Sequence, residues 1–274
     1  MKDISQYLPN LNDIRTISQD QLNEFQKNGH TITLEVLSTD EATIYQKIIS
    51  EAADQFNQER RSLNDRDTYG KAFLQIMNLW CMNEQVKRFV LAKRFASIAA
   101  SLLRVENVRL YHDQALFKEP GGGPTPWHQD QNYWPLNTEK TVTMWMPLVD
   151  IPNPDMGMLT FASGSHLKGN VFDFVISDES DDAFDQYVRN HRLPIVRPSA
   201  MKAGDATWHS GYTIHNAPGN NSSTMREVMT IIYFADGTTI SPPKHKYQEN
   251  DLKQWLGGKA PGSLADSDLN PLLL

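Results

Sequence analysis

In the stretch PTPWHQDQNYW, residues 124–134, one histidine and one aspartate stand two positions apart, His128 and Asp130. In extended backbone, residues i and i+2 project from the same face, so this imidazole and carboxylate point into a common space. The pair suits a borderline divalent metal such as iron. Two histidines and one carboxylate with open positions make the facial arrangement of non-haem Fe(II) oxygenases. A lone His-x-Asp triplet is weakly specific, because such triplets arise by chance and a histidine beside an aspartate is usually just solvated. A second imidazole has to come from elsewhere in the chain.

The other histidines are His30, His112, His166, His191, His209, His215 and His245. His30 follows the end of an expected helix, His166 sits in the turn SGSH, and His191 and His245 lie in polar segments. Only His209 and His215 lie in a strongly β stretch after a Gly-Asp turn, GDATWHSGYTIHNAPGNN. They are six residues apart, so an uninterrupted strand would show both on one face, but Ser210-Gly211 invites a bulge or bend and periodicity does not choose. Arg226, eleven residues beyond His215 at the start of the next apolar strand, favours His215. A turn of NAPGNNSS between two antiparallel strands would return that arginine beside it. In isolation Arg226 reads as a strand-end surface salt bridge. Beside a metal site with no other fixed cation, a carboxylate-bearing ligand gripped by the planar guanidinium is the better explanation.

The elements that must position these residues fall into two halves. Ser18 with Gln21 forms a capping-box pattern and Gly29 stands where a C′ residue should, which predicts a helix over 19–28. His30 to Leu37 alternates as a short strand would, and Ser38 with Glu41 opens an amphipathic helix from about 40 to 60. Lys71 to Leu103 reads mostly as helix with an interruption near Asn83, with Met77, Leu79, Trp80, Phe89, Phe95, Ile98 and Leu102 as core. From residue 106 onward the pattern changes to short extended segments: Asn107 to Lys118, Thr141 to Asp150, Gly157 to Ala162, Leu193 to Pro198, Asp205 to Ile214 and Met225 to Phe234. Such strands punctuated by turn residues predict a sandwich or barrel, with EPGGGPTP (119–126) as a loop. SDESDD (177–182) reads as a solvated turn between strands. The tail LADSDLNPLLL reads either as a segment docked on the β core or as a self-association element. Tyr133 and Trp134 stand where a pocket mouth would be, and Tyr69, Lys71 and Phe73 where a covering segment would be.

The 274 residues, 39% hydrophobic and 22% charged, can build one large domain or two small ones. A net charge of −7 with scattered Lys and Arg offers no surface for nucleic acid, and the expected partner is a small molecule. Cys81 is the only cysteine, so no intramolecular disulfide can form and a reducing compartment is expected. MKDISQYLPNLNDIR lacks an apolar signal region and no run is long enough to cross a bilayer. These features predict a cytoplasmic protein without membrane contact, and they leave a homo-oligomer open.

WHQD (127–130), MWMPLVD (144–150), GMLTFASGSH (157–166), AGD (203–205), TIHNAPGNNSS (213–223) and Arg226, in that order, resemble the phytanoyl-CoA dioxygenase family of Fe(II)- and 2-oxoglutarate-dependent oxygenases. The motifs cover about residues 107–235, and the N-terminal helices add little to them. The resemblance implies a mainly β fold with flanking helices, a double-stranded β-helix (jelly roll, cupin-like) core braced by N-terminal helices. One catalytic domain over 1–274 is expected, with a bracing region at 1–105, the core at 106–236 and a C-terminal extension at 237–274. It further implies that His128, Asp130 and His215 ligate Fe(II), that Arg226 anchors the distal carboxylate of 2-oxoglutarate, and that Gln114 and Trp145 contact this cosubstrate. Ala217 departs from the serine common in relatives two residues after the distal histidine.

The expected reaction consumes O2 and 2-oxoglutarate, releases succinate and CO2, and oxidises an aliphatic carbon of a small metabolite or natural-product intermediate. Relatives that halogenate have Gly or Ala in place of Asp130, so hydroxylation, or a related desaturation, cyclisation or epoxidation, is expected here. The alternatives are an acyl-CoA α-hydroxylase of the phytanoyl-CoA type, a non-catalytic metal-binding jelly-roll module, and a zinc hydrolase on the same ligands. The hydrolase lacks a general base near WHQD.

Overall fold

The structure, a computed structural model, describes residues 8–274; residues 1–7 of the expected bracing region lie outside the described residues. Helix α1 (Gln19–Asn28) starts at a capping box in which the Ser18 hydroxyl accepts from the Gln21 amide and Gln21 Oε1 accepts from the Ser18 amide, both at 3.2 Å. It ends at Gly29, whose φ of 78° needs a residue without a Cβ. Strand β1 (His30–Thr33) is shorter than the expected His30–Leu37, because the chain turns at Glu35, with φ 51°, and its amide goes to the Asp205 carboxylate. Helix α2 (Thr39–Phe56) begins at the Ser38/Glu41 box and ends short of residue 60.

Lys71–Leu103 departs most from its sequence pattern. Instead of a nearly continuous helix it holds the end of α3 (Thr68–Ala72), then β2 (Leu74–Met77), a 3-10 turn at Leu79–Cys81, α4 (Glu84–Val90) and α5 (Lys93–Leu103). Strand β2 exists because it pairs with β3 (Val108–Lys118), from Leu74 opposite Phe117 to Met77 opposite Gln114, and tertiary pairing overrides local helical preference. Asn78 then takes left-handed φ 49°, and the buried Asp113 carboxylate accepts from the amides of Leu79 and Trp80.

The rest supplies β4 (Thr125–His128), β5 (Thr141–Pro147), β6 (Thr160–Ala162), β7 (Ile195–Val196), β8 (Ala206–Ser210), β9 (His215–Ala217) and β10 (Arg226–Ala235), with α6 (Asp178–Asn190) and α7 (Lys246–Trp255). Two antiparallel sheets result, one of order β1-β8-β5-β10-β3-β2 and one of order β4-β9-β6-β7. The large sheet shows the period of two that separates its faces. Val142, Met144, Met146, Met229, Ile231 and Tyr233 pack with α2, α4 and α5, while Thr143, Trp145, Thr230 and Ile232 face the cavity between the sheets.

One further reading changes and one open choice is resolved. SDESDD opens α6, where Ser177 caps the first turn with Ser180 and the acids stand at the favourable helix N-terminus. The C-terminal tail docks on the β core: Leu110 donates to the Pro271 carbonyl, Leu273 to that of Val108, and Leu273 is buried. No helix among the described residues is long and apolar enough to cross a membrane.

Candidate metal centre and its cavity

His128 and His215 are directly opposite each other in the β4–β9 pair, which brings their ring centroids to 4.1 Å. In each ring Nδ1 faces a main-chain carbonyl, that of Pro126 at 2.7 Å and that of Thr213 at 2.9 Å. A carbonyl only accepts, so Nδ1 carries the proton and Nε2 offers its lone pair, the form a metal takes. Asp130 follows across one extended residue, Gln129, at the start of a 3-10 turn over Asp130–Tyr133. Its Oδ1 lies 3.4 Å from His128 Nε2 and 3.6 Å from His215 Nε2. One ligand atom from each of the three residues lies within 4.8 Å of the others, and two imidazoles with one carboxylate fit a divalent metal such as Fe(II).

The charges agree with that use. Burial opposes ionisation of Asp130, but His215, His128 and His209 around it outweigh burial and hold the carboxyl well below its usual range. Burial and the neighbouring His128 and His209 drive the His215 ring down, so it stays neutral as a ligand must.

His209 stands beside the triad in a different role. Its strand lies in the large sheet and that of His215 in the small one; the chain crosses between them after Gly211, where a Cβ would come within 2.4 Å of Thr141 Oγ1. His209 Nε2 approaches Asp130 Oδ2 at 3.1 Å, and Thr143 Oγ1 donates to that oxygen at 2.9 Å. Sequence reasoning missed Thr143, although it shares a strand face with Trp145 two residues on.

Arg226 reaches the cavity by another route than the one expected. Strand β10 pairs with β3 and β5, not with β9, so no hairpin returns the arginine beside His215; the two line one cavity from opposite sheets. Nor is it a surface ion pair. It is 2% exposed, its guanidinium donates to the Gly157 carbonyl at 2.8 Å and the Leu116 carbonyl at 3.2 Å, and it lies 5.4 Å from the Trp145 ring. Its Nε has no partner and no carboxylate pairs with it among the described residues, which fits an anionic ligand. Burial pushes its pKa down to about 9, leaving it charged at neutral pH.

These groups open on one cavity of about 510 Å³, which also includes Gln114, Trp145, Tyr133, Trp134, Tyr69 and Phe73 in its wall. Lys71 does not line it; its carbonyl accepts from the Gly123 amide. Met77, expected in the core, is half-buried and lines the cavity. Thr125, directly opposite Ala217 across β4 and β9, lines it too and brings a hydroxyl to the place where Ala217 has none. His112, Asp251 and Trp255 line it as well; no sequence motif singles them out, because β3 and α7 meet only in the folded chain.

A family profile described as Phytanoyl-CoA dioxygenase (PhyH) matches residues 20–228. Among curated proteins, the chain is 29% identical over 134 residues to a probable alpha-ketoglutarate-dependent hypophosphite dioxygenase of Stutzerimonas stutzeri, covering 47% of this chain and 46% of that protein. It is 28% identical over 146 residues to phytanoyl-CoA dioxygenase 1 of Oryza sativa subsp. japonica, covering 53% and 51%. The chain thus spans about half the length of the curated relatives it matches. Its fold is similar to the crystal structure of the non-heme alpha ketoglutarate dependent carbocyclase SnoK from nogalamycin biosynthesis. There the TM-score is 0.76 at 24% identity, covering 94% of this chain and 96% of that one.

Proposed function

The chain belongs to the phytanoyl-CoA dioxygenase family, and from that premise we propose that it is an Fe(II)- and 2-oxoglutarate-dependent oxygenase acting on an aliphatic carbon of a small molecule. The observation that carries this reading is a two-histidine, one-carboxylate donor set sharing a cavity with a buried arginine that has no carboxylate of its own. In this reading His128, Asp130 and His215 hold the metal, Arg226 grips the distal carboxylate of 2-oxoglutarate, and Trp145, Thr125 and Gln114 shape its seat. The two sheets are read as a double-stranded β-helix within one catalytic domain, cytoplasmic in location.

When bound, iron and 2-oxoglutarate supply oxidative decarboxylation of the cosubstrate to succinate and CO2, coupled with O2 to oxidation of the substrate carbon. The chain's own residues fix where this happens. The His128 and His215 rings are oriented by their carbonyl contacts, and Asp130 is turned so that Oδ1 faces them. Arg226, itself buried, fixes the far end of the cosubstrate. A carboxylate at 130 leaves no room for a halide in its place, which supports hydroxylation or a related desaturation, cyclisation or epoxidation. An oxyanion such as the hypophosphite named for the Stutzerimonas stutzeri relative, or the phosphates of a CoA thioester, finds no Lys or Arg besides Arg226 on the wall.

The test is an anaerobic titration with Fe(II) and then 2-oxoglutarate, watching the weak visible charge-transfer band of the chelate. Wild type should develop the band, and Arg226→Ala should need about 10–100-fold more 2-oxoglutarate, the worth of a charged hydrogen-bonded contact. Iron binding without a band would leave a metal-binding module as the better account.

A further inference from the structure

Away from the metal donors and Arg226, the cavity wall carries formal charge of one sign only. Asp67 and Asp251 line it, and no lysine or second arginine does. With iron and a dianionic cosubstrate bound, the charges of iron and Arg226 would be offset by Asp130 and the cosubstrate, leaving no positive charge for an anionic substrate. Such a substrate would meet two carboxylates instead.

Asp251 is built into its place. Its Oδ2 accepts the Tyr111 hydroxyl at 2.9 Å, the Trp255 side chain also bonds to it, and no side-chain cation pairs with it among the described residues. Tyr111 reaches it through a bulge in β3: Ile232 pairs with His112 and Tyr233 with Leu110, which leaves Tyr111 unpaired. An unbulged strand would send residues 111 and 112 to opposite faces. Here Tyr111 packs with Trp134 and Ile232 on the cavity side, while His112 lines the cavity itself.

His112 is the second, independent observation. Only 2% exposed, it keeps a buried Nδ1 with no partner, and its ring lies 5.6 Å from that of Trp255. Burial pushes its pKa down to about 3, so the ring is neutral and presents one donor and one acceptor. Tyr133, Trp134, Tyr247 and Trp255 line the same cavity, and aromatic rings attract cations. An ionised carboxylate in such a wall is costly without a counter-charge, which agrees with burial raising the Asp251 pKa to about 7.

We propose that the substrate is a small organic cation, a protonated amine whose ammonium group pairs with Asp251 among these aromatic rings while another part of the molecule faces the metal. The proposal rests on the oxygenase reading and names its substrate class. Asp251 is then a binding residue that selects by charge.

Three probes of one shape test it: cyclohexylamine, cyclohexanol and cyclohexanecarboxylate, titrated calorimetrically into protein loaded anaerobically with Fe(II) and 2-oxoglutarate at about pH 8, where Asp251 is ionised. Cyclohexylamine should bind at least about tenfold more tightly than either of the others, and Asp251→Asn should lose that margin while keeping the chelate band. Equal or tighter binding of the alcohol or the carboxylate, binding of none, or a preference that survives Asp251→Asn overturns the proposal. Should the variant not fold, the wild-type ranking alone decides. The chelate band, titrated without any probe, tests the oxygenase reading separately; iron binding without it would sink that reading whatever the ranking.

Discussion

His209 Nε2 lies 3.1 Å from Asp130 Oδ2, and Thr143, its cross-strand partner, donates to the same oxygen at 2.9 Å. The two sheets meet at this carboxylate, which comes from the small sheet's side while both holders come from the large one. With Oδ2 engaged, Oδ1 is the atom turned to His128 and His215. His209 Nδ1 is buried without a partner, so Nε2 is the ring atom that donates to Asp130.

His209 is therefore expected to position a ligand rather than be one. Replacing partners of this kind typically costs about 10–100-fold in metal affinity. His209→Ala should weaken anaerobic Co(II) binding by that range, while Asp130→Ala and His215→Ala abolish it. The reverse ranking, with His209→Ala abolishing and His215→Ala sparing binding, would exchange the two histidines' roles.

A pH dependence of stability follows from His112. Burial lowers its folded pKa from 6.5 to about 3, so as pH falls below 6.5 the unfolded chain takes up a proton that the folded chain refuses. The contribution is complete above that value and is lost progressively as pH falls towards 3. At about pH 5 the loss is on the order of 2 kcal/mol. Denaturant midpoints at about pH 5 and about pH 7.5 should differ less in His112→Gln than in wild type. Some slope survives, because burial also lowers His30, to about 4. An unchanged slope would mean that His112 is not neutral in the fold.

The sequence disclosed the His128–Asp130 pair and both capping boxes because these are local: the histidine–aspartate spacing, the Ser18/Gln21 pair and the Ser38/Glu41 pair each act within a few residues. The choice between His209 and His215 could not be local. Both enter the site, and what separates them is a sheet-to-sheet crossing after Gly211 that alternation cannot express. The hairpin argument for Arg226 failed for the same reason, although Arg226 and His215 do line one cavity. Strand β2 was hidden inside a helical pattern, since its only support is pairing with β3. Asp251 and His112 carried no signal, as their chemistry arises from a bulge and a helix brought together by folding.

The acidic stretch read as a solvated turn has a structural duty. Strand β4 is an edge of the small sheet, and the first turn of α6 covers it: Asp181 Oδ1 accepts the Trp127 amide at 2.7 Å and the Ser180 hydroxyl donates to the Trp127 carbonyl at 3.1 Å. Trp127 adjoins His128. Asp181→Ala should cost about 1–3 kcal/mol by leaving that amide unpaired, and should weaken metal binding as well. Asp182→Ala is the control; equal effects of the two in urea unfolding would contradict the edge contact.

The C-terminal tail should support the substrate wall through one side chain. Asn270 is fully buried, and its Nδ2 donates to the carbonyls of Leu110 at 3.1 Å and Tyr111 at 3.3 Å, which flank the bulge that aims Tyr111 at Asp251. Asn270→Ala removes both contacts and should lower stability by about 1–3 kcal/mol. If the bulge loosens, Tyr111 no longer steadies Asp251, so cyclohexylamine should bind more weakly while the Fe(II)–2-oxoglutarate band, which depends on His128, Asp130, His215 and Arg226, is unchanged. Loss of stability with intact amine binding would make Asn270 a fastener of the tail alone, and loss of the chelate band would show that the metal donors and the Asp251 wall are not independent.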